Sequence, residues 1–107
     1  MSGSSGSGYS GGPDSEVSCD ALGFEAQLTS PRAAAVAQIG AGTVLDIEVV
    51  QMSGQVVVQV LHQGLLVGGL TGPDATRLRA CIEAGHEYEA VVRAINGGQV
   101  RVRVAHR

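Results

Sequence analysis

The chain of 107 residues has no tryptophan, no lysine, one phenylalanine (Phe24) and two tyrosines (Tyr9 and Tyr88). Without aromatic bulk, a core must rest on valine, leucine, isoleucine and alanine, and the β-branched excess favours strands. The absence of lysine beside seven arginines resembles the codon bias of a high-GC genome and leaves arginine to supply the positive surface. No run approaches the roughly 18 to 20 apolar residues of a membrane-spanning helix. The opening has neither the basic start nor the apolar middle of a secretory signal. A soluble, cytoplasmic protein with no membrane partner is therefore expected.

Cysteine is nearly as scarce. Cys19 and Cys81 stand in no CxxC and near no histidine at metal spacing. Cys81 falls on the apolar face of an expected helix, where it reads as a small buried hydrophobe. If the start of the ordered region packs over that helix, the two cysteines could instead bridge a long loop; spacing alone leaves both open. His62, His86 and His106 are scattered, with neither HxxxH nor HExxH, so no metal site is expected.

The first dozen residues, MSGSSGSGYSGG, cannot bury enough apolar surface to offset the entropy of ordering them. Residues 1–15 are expected to be a flexible lead and residues 16–107 one small domain. A domain of this size buries only about 60 to 65% of its extended surface.

The change of period between Gly64 and Gly85 organises the rest. Leu65 to Leu70 is a short apolar run; Thr71-Gly72-Pro73-Asp74 supplies a turn, a cap and a proline suited to the first helical turn. Leu78, Cys81 and Ile82 then recur at spacings of three and four until Gly85 stops the helix. Upstream, Leu22, Phe24, Ala26 and Leu28 alternate with small or polar residues, as in a half-buried strand. Ser30-Pro31 opens an alanine-rich helix over Arg32 to Ile39, ended by Gly40 and Gly42. In residues 43–51, Leu45, Ile47 and Val49 point inward against Asp46 and Glu48. Met52-Ser53-Gly54 turns into the valine-rich strand 55–62, and Gln63-Gly64 turns again. Gly68 and Gly69 mark a bulge, a bend of the sheet or the close approach of another backbone; a strongly coiled small sheet favours the bend. Glu87 to Ile95 and Gln99 to Ala105 flank Asn96-Gly97-Gly98, a hairpin signal.

The order β-α-β-β-β-α-β-β, with short hairpins and no regular βα alternation, predicts an α+β fold. Its mainly antiparallel sheet of about six strands should curl into a small, partly open barrel or roll with two short helices.

The pattern from Val56 to Val92 combines a valine strand, Gly64, Val67-Gly68, Leu70, an aspartate and alanine opening a helix with Leu78, then Gly85, Tyr88 and Ala90. It resembles the second half of HIRAN domains, small β-barrel modules of which some members bind ends of single-stranded DNA. The resemblance covers about a third of the chain. The family's asparagine, proline, tyrosine and aspartate cluster would fall near Gln51 to Gln55, where this chain has QMSGQ. The resemblance thus implies a fold and carries over no binding residue.

The formal charge of -3 conceals an asymmetry: the last acid is Glu89, and Arg93, Arg101, Arg103 and Arg107 follow it. If Val100, Val102 and Val104 face the core, Arg101 and Arg103 share the opposite face, where Arg93 can join them. Those three are the candidate binding residues, suited to phosphate or carboxylate, unless Glu87 and Glu89 neutralise them across the hairpin. Paired acids on strands are ordinarily a wet face, and no nucleophile elbow or phosphate loop is present. No enzyme and no cofactor is expected. The expected role is a non-catalytic accessory or protein-interaction module of a larger complex. The alternative is a HIRAN-type binder of single-stranded nucleic acid using the arginine face, which the acidic net charge and missing aromatic platforms disfavour.

Overall fold

The computed structural model describes residues 18–107, so the lead expected over 1–15 lies outside the described residues. After a 3-10 turn at Cys19–Ala21, the elements are β1 (Gly23–Gln27), α1 (Ala33–Val36), β2 (Val44–Met52), β3 (Gln55–His62), β4 (Leu65–Leu70), α2 (Pro73–Glu83), β5 (Tyr88–Asn96) and β6 (Gln99–His106). This is the expected α+β order. The six strands form one antiparallel sheet in the order β1-β6-β5-β2-β3-β4.

The sheet curls without closing into a barrel, and one bridge between Thr29 and Gly69 joins the segment after β1 to β4. There Thr29 and Gly69 exchange both backbone hydrogen bonds at 2.9 Å, and Arg32 N donates to Val67 O at 2.8 Å. Gly68 and Gly69 make this possible. A Cβ on Gly68 would lie 3.0 Å from Thr29 O, and one on Gly69 would lie 3.1 Å from Thr29 Oγ1. The pair therefore serves the approach of another backbone, beside a register shift of the β3–β4 ladder between Val60 and Leu61, rather than the expected bend.

The concave face holds the core. Leu45, Val58, Val60, Val67, Ala90, Val92, Val100, Val102 and Val104 are buried with Phe24, Leu28 and Tyr88, and α2 adds Ala75, Leu78 and Cys81. Ile47, Val49 and Ile82 are only half-buried. Small aliphatic side chains thus do fill this interior, as the lack of aromatics requires.

Local chemistry explains the elements. Pro73 opens α2 after Gly72, whose φ of 93° a side chain would resist. At the other end Gly85, at φ 108°, donates to Ile82 O while His86 N donates to Cys81 O, the paired bonds of a Schellman stop. Gly97 and Gly98 both have positive φ and join β5 to β6 in the two-residue turn that strand twist prefers. The first helix is shorter than the expected Arg32 to Ile39. Gln38 N and Ile39 N already turn to the carbonyls three residues back, and Ala35 is the only buried residue of α1, so propensity without an anchored face does not extend it.

Cys19 and Cys81 are joined in a disulfide with their Cα atoms 5.5 Å apart. The bridge pins the turn before β1 to the last part of α2. Tyr88, buried at the start of β5, donates its hydroxyl to Cys19 O.

Candidate functional site

The convex face of the sheet carries the candidate arginines. Register places Arg103 opposite Val91 on one side and Glu25 on the other, and Arg101 opposite Ala94 and Gln27. Both are exposed, as the alternation of β6 predicts. Arg93 arrives there differently. The ladder shifts between Val92 and Ala94, so Arg93 is the extra residue of a bulge, and its Nε lies 3.7 Å from Glu25 Oε2. The structure therefore gathers Arg93, Arg101 and Arg103 on one surface, with a carboxylate from β1 beside them.

The alternative in which Glu87 and Glu89 neutralise these arginines is not the arrangement found. Glu89 accepts from Arg107 Nε at 3.5 Å, and Arg107 also reaches Asp46 at 2.7 Å. Arg107 N donates to Glu87 O, which holds the terminal arginine against β5. Arg101 and Arg103 have no carboxylate within salt-bridge distance among the described residues. Arg103 instead lies over Gly23, its Nη2 3.2 Å from where a Cβ would stand. Glycine at position 23 leaves room for that guanidinium.

The same convex face continues onto β2, where Val44 pairs with Val91, Asp46 with Glu89 and Leu61, and Glu48 with Gln59. Val44 is 52% exposed. Basic side chains on β6 and β5 thus give way across an aliphatic strip to the carboxylates of Asp46, Glu48 and Glu89.

The histidines are less scattered than they look. His86 follows the α2 stop and His106 ends β6, and their Nδ1 and Nε2 atoms lie 3.0 Å apart. His106 also stands edge-on to Tyr88. Burial pushes the Tyr88 hydroxyl pKa up, with the charge of Asp20 adding to it. A hydrogen bond from Ser18 holds the Asp20 carboxyl below its usual value. No third ligand completes a metal site: among the described residues no group of three His, Cys, Asp or Glu could hold an ion.

A concavity lies elsewhere, and nothing in the sequence announces it. It is a groove of about 530 Å³. Its walls are the crossing segment 29–32, the end of β2, the start of β3, β4 and the first turns of α2. Its lining includes Arg32 and Arg79 and, among the described residues, no acidic one. Elements far apart in the chain contribute to it, and no spacing relates them.

No protein-family model, curated protein or solved structure matches the chain. No helix among the described residues is long and apolar enough to cross a membrane.

Proposed function

We propose that this domain is a non-catalytic protein-interaction module that docks its partner on the convex sheet face around Arg101 and Arg103. The observation that carries this reading is the mixed sign of that face. Two exposed arginines without carboxylate partners among the described residues share it with Glu25, Glu89, Asp46 and Glu48 and with the aliphatic pair Val44 and Val91. Interfaces between proteins combine apolar area with charges of both signs set in register. A phosphate backbone favours a field of one sign, and the carboxylates of β2 and β5 would repel it.

The HIRAN resemblance supports a second reading, a binder of single-stranded nucleic acid on the same arginines. It is favoured by Arg101 and Arg103 being unpaired among the described residues and opposed by the lack, among those residues, of an aromatic on that face for bases to stack upon. The oxidised Cys19–Cys81 pair also bears on location. Thiols are kept reduced in most cytoplasms, so the bridge supports an oxidising compartment over the cytoplasm expected from the sequence.

Titrating a thymidine oligomer at about 50 and 200 mM salt separates the two readings. The interaction reading expects no binding tighter than the non-specific range of about 10⁻⁴ to 10⁻⁶ M. Tight, salt-sensitive binding abolished by Arg101→Ala with Arg103→Ala would overturn it. Conversely, proteins retained from an extract of the source organism should be lost in that double variant.

A further inference from the structure

We infer that the groove between β3, β4 and α2 is a binding site for a carboxylate carried on a compact apolar body, with Arg79 as its principal anchor. This goes beyond the interaction reading, because none of the arginines and carboxylates named on the convex face lines the groove. At about 530 Å³ the groove falls within the size range of small-molecule pockets, roughly 300 to 1,000 Å³.

Charge selects the class of ligand. The groove is lined by two arginines and no carboxylate, and neither Arg32 nor Arg79 forms an ion pair among the described residues. Of the two acids of α2, Asp74 is engaged by Arg77, and Glu83, four residues after Arg79, forms no ion pair with it. Arg79 Nε is buried and has no hydrogen-bond partner among the described residues. A buried donor left unmade costs free energy, and a ligand that supplies its acceptor recovers that loss.

The orphaned atom also selects geometry. A guanidinium approached along its Nε side presents two parallel N–H groups, which match the two oxygens of a carboxylate. Val56, Val57 and Leu66 supply half-buried aliphatic lining, so the rest of the ligand must be apolar. A phosphate dianion would bring a second charge against that aliphatic wall, at greater desolvation cost than a monoanion. The glycines help: Gly68 and Gly69 line the groove without side chains of their own.

The test compares octanoate with octanamide, two probes of nearly the same shape that differ in charge, by following amide chemical shifts of the intact protein. One saturable site is expected on groove residues, with octanoate bound roughly tenfold or more tightly than octanamide, the scale of a charged hydrogen bond. Arg79→Gln should remove that preference, while Arg101→Ala with Arg103→Ala should leave it intact. Equal binding of acid and amide, no saturation up to about 10 mM, or shifts confined to the convex face would each overturn the site. The acid-to-amide comparison in the unaltered protein stands even if Arg79→Gln fails to fold. A short peptide ending in leucine with a free carboxylate tells the source. Tighter binding of the peptide than of octanoate assigns the carboxylate to a protein C-terminus, and the reverse assigns it to a free acid. Failure here leaves the convex-face reading untouched, because that reading is judged on β6 variants.

Discussion

The two halves of the sheet hold themselves together by different means. β1, β6 and β5 form a regular ladder broken once, at Arg93. Their flank is tied by the Cys19–Cys81 bridge and by the Tyr88 hydroxyl on Cys19 O. β2, β3 and β4 carry no covalent tie; their outer edge is held by the backbone exchange of Thr29 with Gly69 and by two glycines that permit it. One half relies on side chains and the other on their absence. Side-chain alternation is written in the sequence, whereas a missing side chain says only that something comes close, not what does.

The largest effect should come from removing the tie on the first half. The bridge spans 62 residues, and on the chain-entropy account Cys19→Ser with Cys81→Ser should cost about 4 kcal/mol in denaturant unfolding. An unchanged midpoint would mean that the Tyr88 and α2 contacts hold that flank alone. Leu78→Ala, at a fully buried position of α2, should cost about 3 kcal/mol. Ile82→Ala should cost less, because Ile82 is only half-buried; equal losses would show that α2 seats differently. On the second half, Gly68→Ala should cost about 2 kcal/mol, since its Cβ would meet Thr29 O and Leu28 Cβ at 3.0 and 3.1 Å. Faster amide exchange at Thr29 and Gly69 should accompany it, with β6 unaffected. Exchange that rises equally in both halves would erase the contrast drawn between them.

The smallest effect is alkaline. Because burial raises the Tyr88 pKa, the folded state retains a proton that an unfolded tyrosine releases near pH 10. That contribution is complete below about pH 10 and is lost as pH rises through the folded value. Tyr88→Phe should flatten the alkaline limb of the stability curve, at the cost of the hydrogen bond to Cys19 O. A limb of unchanged slope would locate the titration elsewhere.

The comparison also explains what could be read beforehand. Strands β1, β2, β5 and β6 follow from alternation, β3 and β4 from valine-rich or apolar runs between turns, and α2 from the three-four spacing of Leu78, Cys81 and Ile82. The outward placement of Arg101 and Arg103 follows from the same alternation. Arg93 reaches that face only through a bulge, and nothing in VVRAIN announces one. The cysteine bridge depends on the approach of two segments far apart in the chain. The groove depends on several elements at once, and its orphaned Arg79 Nε is a property of the assembled surface. Period finds faces of single elements; it cannot find a cavity between them.

A strand at the border of a sheet is a template on which another chain can crystallise its own hydrogen bonds, and many proteins discourage this by placing lysine there. This sequence has no lysine, and β4 has two glycines where a guard might stand. Its border is occupied by the chain itself, through the Thr29 and Arg32 contacts to Gly69 and Val67. A second molecule, or an extended peptide, seeking to lengthen the sheet at β4 must first peel that strap away. Fibrous self-association should therefore begin with loosening at residues 29–32, and Gly68→Ala, which crowds Thr29, is the substitution most suited to start it.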